Sequence, residues 1–358
     1  MRIGYLVDTH GGPYDQPVPG RRNAVDTMER IIEEAVLAER SGFHSIQIPE
    51  RHGRTETYIP SPLQLMTILA RETSRVAVGS YATIATLYHP MQIAEWTAVV
   101  DNLSRGRAYQ TLARGYHPGY WNFFGVPQER LLGRLLEAIE VVNLAFKGER
   151  FSFDGKHYRV VDSLLSPQPY QSHVPIWGAG QLPAAIKRSG RIGDSWTCDP
   201  FPILQQTWDA QAGAYRAEAE RHGKRPFIVL MRDGWVADSF EDAARDFGTH
   251  WVEEMKFYFR AGIFAHHPNY DEEWKITPEA TRQDVVTGTP AQCIEQIERF
   301  EEELGVQYIT MRFRMPTGPS FERTRDCIQR FGEEVCSHFH RRPDPAMDHP
   351  AIPEACRW

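Results

Sequence analysis

A barrel of eight parallel strands wrapped by helices, the (β/α)8 or TIM-barrel class of α/β fold, is what this sequence predicts. Three observations lead there. Short apolar runs alternate with amphipathic stretches along the chain, the pattern of a parallel sheet with helices packed outside it. Eight such runs can be counted, the number that closes a barrel, and 358 residues suit one such domain. A doubly wound open sheet is the competing arrangement, but it calls for a glycine-rich fingerprint after the first strand, and none is there.

Residues 1–7 read as the first strand, and 8–23 as a Gly/Pro-rich loop. Met28, Ile31, Ile32, Ala35 and Ala38 fall on one face of a helix over 25–40, which Gly42 stops. Residues 45–49 form the second strand, 62–72 a helix, 76–81 the third strand and 90–103 another helix, started by His89-Pro90. The fourth strand, within 107–113, is a short apolar run closed by Gly106 and Gly115. Leu132, Leu135, Leu136, Ile139 and Val142 mark the next helix, and 151–161, with Asp154-Gly155 at its centre, an inserted hairpin. Strands at 175–179, 193–197, 227–236 and 308–313 complete the eight, with helices between them and a last helix to about 339. A polar insertion over 262–288, before the last strand, breaks the rhythm and reads as a lid-like loop. The domain thus spans 1–339, and the Pro-rich, aperiodic 340–358 reads as a mobile or surface-lying tail.

Composition bounds the function. A net charge of −7 argues against a nucleic-acid partner. No apolar run approaches a membrane span, and the first strand begins at once, without a signal peptide. The five scattered cysteines read as reduced thiols, so a cytoplasmic location is expected.

Chemistry in such a barrel sits where strands meet the following loops. The first strand ends in Asp8-Thr-His10, the second in Glu50-Arg-His52, the third in Gly79-Ser80-Tyr81-Ala82 and the fourth in Arg114-Gly-Tyr116-His117. The fifth ends in Gly178-Ala179-Gly180-Gln181 and the sixth in Trp196. Arg114 suits a planar anion such as phosphate, although a surface arginine after a strand is the plainer explanation of that residue alone. The turn at 177–183 opens a helix with Pro183 in its first turn, so free amides and the helix dipole there make an anion seat that Arg114 would complete. His10, His52, His89 and His117 lack a His-x-His pair or carboxylate spacing, so no metal site is expected. Glu50-Arg51-His52 places three ionisable groups at one strand end, which is either a functional cluster or an ion pair between Glu50 and Arg51.

Several segments carry a resemblance. Phe43-His-Ser-Ile-Gln-Ile-Pro-Glu-Arg-His52 resembles the second-strand signature of the bacterial luciferase-like flavin-dependent monooxygenases. His89-Pro90, Ala94-Glu95, the run from Asp101 to Arg107 and Ala113-Arg-Gly115 are similar to the segments that follow it. Phe153-Asp-Gly-Lys-His-Tyr158, Ser166-Pro-Gln-Pro169 and Gly288-Thr-Pro-Ala-Gln-Cys-Ile294 resemble later ones, so the likeness covers roughly 1–339. It implies the same barrel, with FMN, or a deazaflavin in sister enzymes, at the C-terminal rim. The phosphate would meet Arg114 and the amides of Gly180 and Gln181, next to Ala179. The ring would lie against the third strand at Ser80, Tyr81 and Ala82, with a non-proline cis peptide between Tyr81 and Ala82. Tyr116, His117 and Trp196 would line the pocket.

One departure stands out. Where luciferases carry two successive histidines, this chain has Arg51-His52, and an arginine cannot act as a base near neutral pH. Proton handling is therefore expected from His52, with Arg51 orienting oxygen or substrate and His10 at the neighbouring rim as a further catalytic candidate. The reaction implied is oxygenation of a small organic substrate by reduced FMN and O2. A separate flavin reductase would supply the reduced FMN, and the family likeness suggests a homodimer. A deazaflavin-dependent reductase or dehydrogenase, and a non-catalytic flavin-binding protein, are the alternatives. An unrelated barrel hydrolase would need a metal or nucleophile constellation that the sequence does not offer.

Overall fold

Eight parallel strands pair in sequence order and close on themselves. They are β1 (Arg2–Leu6), β2 (Ser45–Ile48), β3 (Ala77–Ser80), β4 (Ala108–Ala113), β5 (Ile176–Ala179), β6 (Ser195–Cys198), β7 (Ile228–Val236) and β8 (Tyr308–Arg312). β8 pairs with both β7 and β1, and β6 with β7, so no edge is left in the ring. The predicted (β/α)8 barrel is the fold found. The structure, a computed structural model, describes residues 1–13, 21–199, 201, 203–260 and 270–358.

The helices outside are α1 (Arg21–Arg40), α2 (Pro62–Glu72), α3 (Pro90–Ser104), α4 (Pro118–Phe124), α5 (Leu131–Ala145), α6 (Pro183–Ile192), α7 (Gln205–Arg221), α8 (Thr249–Arg260), α9 (Pro290–Leu304) and α10 (Phe321–Phe331). Alternate strand residues serve two layers. Ile46, Val78, Ile309 and Met311 pack in the main core with helix residues such as Ile31, Leu69 and Phe331, while Tyr109, Trp177 and Tyr308 fill the barrel interior. Gly79 makes room for that interior, because a Cβ there would lie 2.2 Å from the Tyr109 ring. The hairpin appears as Phe151–Asp154 paired with Arg159–Ser163.

Arg107, one residue before β4, is almost fully buried and donates to the carbonyls of Ala70, Thr73, Val76 and Ser104 at 2.7–3.0 Å. It satisfies groups that the ends of α2 and α3 leave open, and so sets where β4 begins.

Two expectations change. The part of the 262–288 insertion from 270 onward is packed, with Tyr270, Thr281 and Asp284 buried and Val286–Gly288 pairing with the end of β7. Residues 262–269, including His266 and His267, lie outside the described residues, as do residues 14–20 of the 8–23 loop. The segment after 340 does not lie loosely: Met347, Ala351, Ile352 and Cys356 are buried against Tyr109, Trp177 and Phe227, over the N-terminal ends of the strands. Trp177 Nε1 donates to Ala351 O at 2.8 Å, and His44 Nε2 pairs with Cys356 O at 2.7 Å. Irregular spacing hid these contacts, since the four residues share no helical or strand period.

His44 is 1% exposed, and burial lowers its pKa to about 4. Because the folded value lies below the ordinary one near 6.5, the unfolded chain takes the proton first. Stability is therefore complete above about pH 6.5 and falls as the pH drops from there toward 4. Urea unfolding at pH 7 and pH 5 should show a loss of about 2 kcal/mol that His44→Gln removes. An unchanged pH slope in that variant would contradict the assignment.

All five cysteines are buried and unpaired. Among the described residues no helix is long and apolar enough to cross a membrane.

Candidate active site

At the C-terminal rim, the loop after β1 and the segment after β8 share one buried network. Asp8 Oδ1 lies 2.5 Å from His10 Nδ1, and Asp8 Oδ2 accepts from Arg314 Nη1 at 3.1 Å. Arg314 also donates to His10 O at 3.0 Å and, through Nε, to Glu34 Oε2 at 3.2 Å on α1. The Tyr5 hydroxyl donates to the other Glu34 oxygen. Burial alone would raise the Asp8 carboxyl, but His10 and Arg314 outweigh it and hold it well below the usual carboxylate range. Glu34 has one cation and goes up with burial. His10 is pulled down by burial against the attraction of Asp8, which suits a neutral imidazole donating Nδ1–H to an ionised Asp8.

The next strand end carries a second acid–histidine pair. His52 Nε2 is 2.6 Å from Glu50 Oε1, Glu50 Oε2 accepts from Ile84 N at 2.5 Å, and the Tyr88 hydroxyl donates to Oε1. The Glu50 carboxylate is taken up by His52, Tyr88 and a backbone amide. The His52 ring stands edge-on to Phe124 of α4 at 4.8 Å. No hydrogen bond occupies His52 Nδ1 among the described residues. Arg51 is half-buried, and its charge acts on His10, Asp8 and Tyr120.

The Tyr81–Ala82 peptide is cis, at the bond where the resemblance placed it. Tyr81 lies near Thr197 and Asp199 at the end of β6, and burial followed by the Asp199 charge raises its phenol. Ser80 has a different place from the one expected. Its Oγ lies within reach of two acceptors for its single proton, Gln110 Oε1 at 2.9 Å and Thr111 O at 3.1 Å, and accepts from Thr111 N and Thr83 N at 3.1 and 3.3 Å, so it joins β3 to β4 rather than facing a ligand.

Arg114 is exposed at the end of β4, with Nε donating to Gly115 O at 3.3 Å, and it makes no ion pair among the described residues. Across from it, the chain leaves β5 at Ala179 through Gly180, whose φ of +129° favours glycine, and Gln181. The amides of Gly180 and Gln181 donate to no acceptor among the described residues, and α6 follows with Pro183 in its first turn. Gln181 Nε2 donates to Asp199 Oδ1 at 2.7 Å.

Three expected pocket residues sit elsewhere. Trp196 is fully buried on the outer face of β6, stacked with Trp208 of α7 at 5.6 Å, while its Nε1 donates to Gly180 O at 2.8 Å. It braces the glycine turn from behind. His117 caps α4, accepting from Gly119 N at 3.1 Å, and is exposed together with Tyr116. Both mark the mouth rather than the interior. His89 caps α3 as the sequence suggested.

Two groups escaped the sequence. Arg312 on β8 grips Asp233 of β7 with both ends of its guanidinium, at 2.7 and 3.1 Å, and reaches Glu254 of α8 at 3.4 Å. All three are buried, and burial raises Asp233 against the pull of Arg312. Charged residues inside otherwise apolar strands, at Asp233 and Arg312, were the available signal. Arg188 on α6, 7% exposed, was hidden in a run that reads as an ordinary solvated helix.

The family described as luciferase-like monooxygenase matches residues 1–308. The oxygenase component of a flavin-dependent trigonelline monooxygenase from Acinetobacter baylyi is 28% identical over 330 residues, covering 87% of this chain and 89% of that one. An F420-dependent glucose-6-phosphate dehydrogenase from Kineococcus radiotolerans is 31% identical over 210 residues, covering 54% of this chain and 58% of that one. Among solved structures, a monooxygenase from Streptomyces bottropensis superposes with a TM-score of 0.79 at 21% identity, covering 95% of this chain and 100% of that one. The oxygenating constituent of 3,6-diketocamphane monooxygenase from Pseudomonas putida, in complex with FMN, gives 0.77 at 17% identity, covering 94% and 98%. With the barrel, the rim and the matched span in agreement, this chain belongs to the luciferase-like monooxygenase family.

Proposed function

We propose that the protein is the oxygenase of a two-component system, using reduced FMN from a separate reductase, and O2, to oxygenate a small organic substrate. The observation that carries this is the facing pair of an unpaired cation, Arg114, and two unengaged amides at the head of α6. Such a pair suits a phosphate monoester. The interior fits a polar ring edge as well: Gln47 Oε1, Thr111 Oγ1 and Thr310 Oγ1 are buried without hydrogen-bond partners among the described residues. The relative that is the oxygenase component of a flavin-dependent trigonelline monooxygenase, matched over 89% of its length, supports the same reading.

Bound in reduced form, the flavin supplies the electrons that activate O2. The chain's own residues do the rest. Arg114 and the Gly180 and Gln181 amides hold the phosphate, and Tyr81 with Ala82 supports the ring. His52 accepts or returns a proton at Nδ1, held in place by Glu50 at Nε2. Arg51 orients oxygen or an anionic part of the substrate, and His10, oriented by Asp8, is the second proton-handling group. Phe124, Tyr120 and Trp121 of α4 keep water from this side. The outer face of α2 and α3 exposes Ile68, Trp96, Val99 and Leu103, which supports a homodimer through these helices.

Titration of the apoprotein with FMN tests the reading. Arg114→Ala should weaken binding about tenfold or more, a loss of roughly 1.4 kcal/mol. An unchanged dissociation constant would remove the phosphate assignment. Turnover with a reductase, FMN and 18O2 should place label in the product, whereas tighter binding of a deazaflavin and no use of oxygen would move the protein to the hydride-transfer branch.

A further inference from the structure

A cleft of about 270 Å³ opens between α5, α6 and α7, one helical turn beyond the amides that head α6. Its floor includes two leucines of α5, and its wall carries Lys187, Arg188, Arg191 and Arg221 against a single carboxylate, Glu218. That carboxylate is already engaged: one oxygen meets Arg221 Nη1 at 2.7 Å and the other His222 Nε2 at 3.2 Å. Lys187, Arg188 and Arg191 make no ion pair among the described residues. Arg188 is 7% exposed, and its one hydrogen bond here runs from Nη2 to Ala179 O at 3.3 Å.

A guanidinium taken out of water without an anion is costly, and neighbouring like charges add to the cost. Burial lowers the pKa of Arg188 to about 10, and Arg114 and Arg191 push it the same way. A helix that gathers three unpaired cations on one side, and buries the middle one, is arranged for a negative group that arrives from outside. A phosphate at Gly180 and Gln181 would be met by Arg114, and it would leave Lys187 and Arg191, which line the cleft farther along α6, as cations without an anion.

We propose that this cleft is a second anion seat, taking a phosphate- or carboxylate-class group next to the seat for the coenzyme phosphate. Two sources share that chemistry: the anionic tail of a coenzyme extended beyond its first phosphate, and a separate small anion. The tail source rests on the coenzyme reading given above, whereas the free-anion source does not. Lys187 and Arg191 are exposed on α6 and can be neutralised without touching the core.

The test uses the full chain and the double variant Lys187→Gln/Arg191→Gln, with FMN, FAD, a deazaflavin coenzyme bearing a carboxylate tail, and inorganic pyrophosphate as probes. For the tail source, a tailed coenzyme should bind at least tenfold more tightly than FMN at low salt, and the double variant should abolish that advantage while leaving the FMN dissociation constant within twofold. For the free-anion source, pyrophosphate should raise the melting temperature of the parent in the presence of saturating FMN, and the double variant should lose that rise. If neither response depends on Lys187 and Arg191, the second seat is ruled out. Failure of FMN to bind at all would overturn the phosphate seat instead, and the pyrophosphate rise, then measured without FMN, would still support the second seat if the double variant loses it and rule it out if the double variant keeps it.

Discussion

Arg314→Leu is expected to cost about 3–5 kcal/mol of folding stability, the range for removing one partner of a buried ion pair. The size follows from what the arginine leaves behind. Asp8 and Glu34 are 1% and 0% exposed, and each depends on Arg314 for a charge-assisted hydrogen bond. Asp8 would keep His10, but Glu34 would keep only the Tyr5 hydroxyl and would be driven further toward protonation. Two backbone carbonyls, of Asp8 and His10, would also lose their donor. Urea unfolding at pH 7 measures the loss, and Glu34→Gln in the Arg314→Leu background should recover part of it, since a neutral amide no longer needs the cation. A loss below about 1 kcal/mol would show that water or the neighbouring residues replace the arginine, and the network would lose its assigned importance.

His52→Ala should lower product formation by about 10²-fold or more while leaving FMN affinity near that of the parent. The split matters, because His52 lies 2.6 Å from Glu50, whose carboxylate also ties Ile84 and Tyr88 in place. A merely structural His52 would loosen that segment and reduce flavin binding along with turnover. Glu50→Gln supplies the control: it keeps a hydrogen-bond acceptor for the imidazole but removes the negative charge, so product formation should fall while FMN affinity stays near that of the parent. Turnover within threefold of the parent in His52→Ala would shift the proton-handling role to His10 alone.

The barrel was legible because burial on both faces turns parallel strands into short apolar runs, and eight of them are separated by helical periods. The rim was legible as a set of positions, since strand ends can be counted, but not as a set of directions. Trp196 shows why. Successive strand residues face opposite sides, so a position near the rim does not reveal whether its ring enters the barrel or, as here, packs on α7. Ser80 misled for a similar reason: next to a cis peptide its hydroxyl is consumed by Gln110 and Thr111 O. The Arg312–Asp233 pair joins residues far apart in sequence, and no local spacing announces it. The tail after 340 was missed because its buried side chains answer to the shape of the barrel floor, not to any period of their own.

The stitching of β1 to β8 through Arg314 has a wider implication. The cylinder's seam, where its opening and closing staves meet, runs directly beneath the Asp8–His10 pair. With the proton-handling role proposed above for His10, loosening the seam by heat or by substitution is expected to disarm the chemistry at the moment the ring begins to part. Thermal inactivation should track the earliest detectable opening of that joint, with no interval in which the fold is damaged and the enzyme still turns over.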